Sequence, residues 1–131
     1  MALSFCVLGP PRTKGNSPRI GVSPRGKRFV MPSKAAVNWE QGAILQIRSQ
    51  MHRYRGKTFH DGQRWNCKAL IYRERNGPGD ASNYYKAIGD ALERGGAVAN
   101  DRFIASWNGS DVLLDRKNPR IEILLTEREP A

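Results

Sequence analysis

The residues of this 131-residue chain that could do chemistry together lie between positions 80 and 101, in the string GDASNYYKAIGDALERGGAVANDRFI. Ser82, Lys86 and Asp90 recur at i, i+4 and i+8, with Asn83 beside them, so a helix would align them as one polar stripe. Asp80 stands at the start of that helix, where unpaired backbone N–H groups and the helix dipole stabilise a carboxylate. Asp101 arrives from the loop after Gly95-Gly96, a loop able to bring it back toward Asp80. Two carboxylates distant in sequence but meeting in space are what Mg²⁺ needs, because this hard cation takes oxygen ligands and keeps several waters. Lys86 would then neutralise charge on a phosphate or position an attacking water. Each position also has a simpler reading: Asp80 as a helix cap, Lys86 and Asp90 as a surface ion pair, Asp101 as a turn residue.

The elements that would carry this stripe can be read from periodicity. Ala2 to Leu8 alternates Leu3, Phe5 and Val7 on one face, a strand ended by Gly9-Pro10-Pro11. Ser33 can cap a helix with Ala36, Trp39, Ala43, Ile44, Ile47 and Met51 on its apolar side, ending near His52. Trp65, Cys67, Ala69 and Ile71 alternate as a second strand to about Tyr72, stopped by Gly77-Pro78-Gly79. Asp80 opens the second helix, with Tyr84, Ile88, Ala91 and Leu92 apolar and Gly95-Gly96 as its stop. Phe103 to Trp107 reads as a strand, Asn108-Gly109 as a turn, and Arg120 to Glu127 as the last strand. The order predicts an α/β chain of α+β type: a small mixed sheet of about four strands with two helices on one face, one domain over 1–131.

Charge supplies the partner class. Lys and Arg total 22 against 12 Asp and Glu, a formal net charge of +10. Arg12, Lys14, Arg19, Arg25, Lys27, Arg28 and Lys34 all precede the first acid, Glu40, in a Pro- and Gly-rich stretch at about 9–33 that reads as a loop or arm. A polyanion suits it, held by phosphate contacts that position without reading sequence; Arg48, Arg53 and Arg55 would add to the same surface. No run approaches the ~18 apolar residues of a membrane helix, and the N-terminus has no signal-peptide pattern. Cys6 and Cys67 read as small buried hydrophobes, and zinc is disfavoured because His52 and His60 lie near no Cys-x-x-Cys pair. Trp39, Trp65, Trp107, Tyr84 and Tyr85 read as packing groups ahead of base-stacking ones.

The string from Asp80 to Asp101 resembles the signature of the RusA family of Holliday-junction resolvases, D-x-D-N-x-x-K-x-x-x-D-A-L followed by an Asp-Asp pair. GPPRTKGNSPRI and PSKAAVNWEQ are similar to the N-terminal region of phage-type members. The resemblance implies a RusA-like fold and a homodimeric, Mg²⁺-dependent endonuclease (Mn²⁺ substituting) that nicks symmetrically related strands of branched DNA in recombination or repair. It also implies a cytoplasmic, bacterial or phage-encoded protein with no membrane association and no small-molecule cofactor. Asp80 matches the first metal-binding aspartate, Lys86 the catalytic lysine, and Asp101 the second residue of the Asp-Asp pair. Asn83 falls on the motif asparagine and Asp90 on the helix aspartate. Two positions depart: Ser82 replaces the second aspartate of the motif and Asn100 the first of the later pair. Ser82 removes a negative charge, leaving a weak or water-mediated metal ligand. Glu74 or Asp111 could compensate, or the protein could bind junctions structure-selectively without cutting them.

Overall fold

The computed structural model describes residues 2–15, 18–55, 62–76 and 79–129, with the backbone alone at Pro18, Arg19 and Pro32. Among the described residues, seven strands and two α-helices follow the order β1 (Ala2–Leu8), β2 (Pro18–Val22), β3 (Arg28–Pro32), α1 (Lys34–Gln50), β4 (Arg64–Arg73), α2 (Ala81–Arg94), β5 (Ile104–Ser106), β6 (Asp111–Leu114) and β7 (Arg120–Arg128). Short 3-10 turns follow α1 at Met51–Tyr54 and precede β5 at Asp101–Phe103.

The main sheet is mixed and five-stranded. β7 lies antiparallel between β1 and β4, while β5 and β6 pair in parallel with successive parts of β4's other edge. Alternation puts Leu3, Phe5 and Val7 of β1, Trp65, Cys67, Ala69 and Ile71 of β4, and Ile121, Ile123 and Leu125 of β7 on one buried face. Both helices cover it, α1 with Ala43 and Ile47 and α2 with Tyr84, Ile88, Ala91 and Leu92. The expected α+β architecture is therefore observed.

Three features differ from the sequence expectation. The basic segment is not a loop throughout: β2 and β3 form a separate antiparallel hairpin, closed by Ser23, whose N–H donates to Lys27 O at 2.8 Å. Phe29 and Met31 fold over Gly21, where a Cβ would meet the Phe29 ring at 2.6 Å. The hairpin's opposite face leaves Ile20, Val22 and Val30 exposed, so it has no core-facing alternation for a sequence reading to detect. Second, β6 is an additional strand, whose partner β4 is some forty residues earlier in the chain. Third, the stretch read as a strand from Phe103 begins as a 3-10 turn and reaches strand geometry only at Ile104. The stop expected at Gly77-Pro78 and the histidine His60 lie outside the described residues.

Candidate active site

Helix α2 carries the polar stripe, and both of its ends are built from local chemistry. Asp80 is the N-cap residue with extended backbone (φ −76°, ψ 134°), yet its carboxylate makes no capping hydrogen bond. The reading of Asp80 as an ordinary cap is thus not what the geometry shows. At the other end the chain leaves through a Schellman turn: Gly96 has φ +87°, its N–H reaches Glu93 O at 3.1 Å, and Ala97 N–H reaches Leu92 O at 2.8 Å. That turn, with Ala97 and Val98 buried beneath it, reverses the chain over α2. Asn100 Oδ1 then accepts from Arg102 N–H at 3.0 Å, and Asp101 N–H donates to Glu93 Oε1 at 2.9 Å, pinning Asp101 against the helix. Asp101 lands at the middle of α2, its Cβ 3.5 Å from where a Cβ on Gly89 would be.

This placement brings Asp101 within electrostatic reach of Asp90 and not beside Asp80, which lies nine residues before Gly89, about 13 Å away at a rise of ~1.5 Å per residue. The expected meeting of Asp80 and Asp101 is not formed in this structure. Burial first, and then the Asp101 and Glu40 carboxylates, push the half-buried Asp90 carboxyl above its ordinary value, against the pull of Lys14 and Arg94. Asp80 is exposed at the first turn with Ser82, and among the described residues no group of three or more Asp, Glu, His or Cys gathers as a metal centre. The donor chemistry nevertheless suits a hard cation that keeps most of its waters. Asp80 and Asp101 present carboxylates without a hydrogen bond or ion pair among the described residues, and Ser82 an exposed hydroxyl. Lys86 is exposed and makes no ion pair with Asp90, so the surface-pair reading fails for it. The acids that could stand in for the missing aspartate are otherwise engaged. Glu74 Oε1 accepts from Arg12 at 2.6 Å, and Asp111 Oδ1 accepts from Val112 N–H at 2.8 Å.

Glu40 is the residue that sequence reasoning missed. It is 8% exposed in the middle of α1, with Lys14 Nζ 2.7 Å from Oε2 and the Arg94 guanidinium on Oε1. Its signal was present: Ala36, Glu40, Ala43 and Ile47 share the buried stripe at i, i+4, i+7 and i+11. The pairs tie the segment before β2 to α1 and to the end of α2. Two of the basic residues expected to face DNA, Arg12 and Lys14, are consequently held in internal ion pairs with Glu74 and Glu40. Arg25, Lys27, Arg28 and Lys34 are exposed along and beside the hairpin, and the Arg19 side chain lies outside the described residues. Arg48 and Arg53 donate to the Arg94 and Ser4 carbonyls. Trp65 and Tyr84 are core residues, and Tyr85 stacks on Trp107 with centroids 4.6 Å apart, as expected of packing groups.

The fold is thus a mixed sheet backed by two helices, with uncommitted carboxylates and a lysine along one of them. The family model described as endodeoxyribonuclease RusA matches residues 9–126, which is nearly the whole chain. This chain belongs to the RusA endodeoxyribonuclease family. No curated protein matches it.

Proposed function

We propose that the protein is a divalent-metal-dependent resolvase that hydrolyses phosphodiesters in paired strands of four-way DNA junctions. The observation that carries this reading is the set Asp80, Lys86 and Asp101, each bearing charge without an ion-pair partner among the described residues and all disposed along α2. Exposed and unpaired, these groups are free to meet a ligand without first breaking an ion pair. Asp80 and Asp101 are the candidate carboxylate ligands for Mg²⁺ or Mn²⁺, each acting through metal-bound waters, with Ser82 as a hydroxyl or water-mediated ligand at the first turn of α2. The ion would supply Lewis-acid activation of the scissile phosphate and of a water. Lys86 places its ammonium against charge building on the phosphate oxygens. Asn83, Asp90 and Asn100 support the loop and helix that carry these groups. Arg25, Lys27, Arg28 and Lys34 grip the DNA arms, together with Arg12, Lys14 and Arg19 of the same basic segment. A C2 dimer would present two copies of the site to the two equivalent strands of a junction.

Ser82, together with the lack of a three-acid cluster among the described residues, favours one second reading: a junction-binding protein with weakened cleavage. A labelled synthetic four-way junction separates the two. Paired nicks in the junction but not in duplex, lost in Asp80→Asn and Asp101→Asn while gel-shift affinity persists, are expected. Unchanged cutting by both variants would refute the site. Binding without cutting, converted to cutting by Ser82→Asp, would establish the second reading.

A further inference from the structure

Beside the carboxylates of α2 lies a second feature, a cavity that shares Asn83, Lys86 and Asp90 with the nuclease site but extends away from it to α1. The segment Arg12 to Gly15, helix α1 and helix α2 enclose a cavity of about 100 Å³. Asp80, Ser82 and Asp101 do not line it. Its size is far below the roughly 300–1,000 Å³ of organic-ligand pockets, so it suits a single small group. Its walls carry three basic side chains, Arg12, Lys14 and Lys86, against the two acids Glu40 and Asp90. Arg12 is paired with Glu74, Lys14 and Arg94 share Glu40, and Lys86 is balanced in charge by Asp90, so the group carries a single positive charge in excess. Small, enclosed and cationic describes a site for one tetrahedral oxyanion.

Two observations show that the cavity is built. Trp39 lines it, and its indole Nε1 is buried with no hydrogen-bond partner among the described residues. A buried donor is normally paired, so an orphan on a residue that lines the cavity leaves a donor for an acceptor that arrives with a ligand. Gly15 faces Asn83 so closely that a Cβ there would lie 2.6 Å from Asn83 Oδ1. A side chain at position 15 would force the Asn83 amide to move, so the close approach of this segment to α2 depends on a glycine.

We infer that this cavity takes one backbone phosphodiester of the bound DNA strand, next to the one that is cut, with the Trp39 indole N–H as a donor and Lys86 shared between the two positions. The inference rests on the nuclease reading for the identity of the strand, and on the cavity alone for its phosphate chemistry. Trp39 is thereby a positioning residue: it fixes the register of the strand over the carboxylates and does not touch the reacting atoms.

Indole N–H resonances in a ¹H–¹⁵N correlation spectrum of the ¹⁵N-labelled protein test this directly. The three tryptophans give separate signals, and Trp39→Phe identifies the one that matters. The Trp39 signal should shift with inorganic phosphate, and again with a four-way junction in EDTA, which prevents cutting. Trp39→Phe should bind the junction roughly tenfold more weakly, the loss of one hydrogen bond to a charged group. Because the indole is neutral, the salt dependence of binding should keep its slope, whereas Lys86→Met should lower that slope by about one. A junction that is cut while Trp39 stays unmoved, or bound equally by the Phe variant, overturns the inference and leaves the nuclease reading standing. A Trp39 signal that responds to phosphate in a protein that binds no junction keeps the anion site and overturns the nuclease reading.

Discussion

Replacing Glu40 by glutamine keeps the shape of α1 and removes one charge from the centre of the Lys14–Glu40–Arg94 network. Lys14 Nζ would lose a partner at 2.7 Å, and the Arg94 guanidinium would face a neutral amide. Taking one member from a fully buried pair costs about 3–5 kcal/mol. Here the Lys14 and Arg94 side chains are 46% and 58% exposed, so water recovers much of their solvation. Discounting for that screening leaves about 2 kcal/mol. In a chain of this length each kcal/mol moves the midpoint by about 3–5 °C, so Glu40→Gln should lower Tm by about 6–10 °C. Thermal unfolding followed by circular dichroism at low ionic strength measures it. The cost should fall in the background of Lys14→Met, because the two substitutions break the same interaction. A Tm loss under about 2 °C, or strict additivity with Lys14→Met, would refute the claim that this network fastens the N-terminal segment to the helices.

Two further substitutions probe other parts of the same scaffold. Arg12 holds the Glu74 carboxyl below its ordinary value, chiefly through their hydrogen bond, so the pair's contribution should be full above the ordinary glutamate range and disappear as pH falls through the lowered folded value. A double-mutant cycle of Arg12→Met and Glu74→Gln in urea should show coupling of about 1 kcal/mol at neutral pH that declines as the pH is taken below the ordinary glutamate range; pH-independent coupling would contradict it. Gly95 caps α2 with an ordinary φ of −77°, so packing and not backbone conformation excludes a side chain. A Cβ there would lie 2.6 Å from Ile47 Cγ2 and 2.9 Å from Ala91 O, and Gly95→Ala should cost about 1–3 kcal/mol in chemical denaturation; a neutral or stabilising result would show that the α1–α2 contact yields.

What the sequence determined by itself was local. Period-two alternation marked β1, β4 and β7, and the 3.6-residue period marked both helices, because each needs only near neighbours along the chain. Ser33 was legible as a cap, and its Oγ does accept from Ala36 N–H at 3.1 Å. The stripe Ser82, Lys86 and Asp90 followed from helical spacing, and the glycine pair correctly marked the end of α2. The β2–β3 hairpin was not legible, because it buries no face on the core, and β6 was not, because a four-residue strand is defined by its distant partner.

Only the tertiary structure decided which charges are spent and which remain. From the sequence, Arg12 and Lys14 look like Lys27 and Arg28, all members of one basic run. Folding brings Glu74 and Glu40 to the first two from 62 and 26 positions away, and brings no acid to the others among the described residues. The same folding leaves Asp80 and Lys86 without ion-pair partners among the described residues and carries Asp101 onto the middle of α2. Propensity and periodicity act over one or two turns, whereas an ion pair acts through a few ångströms of space. Which side chains share that space is set by the packing of α1 and α2 on the sheet, and so the candidate site was readable as a list of residues but not as an arrangement.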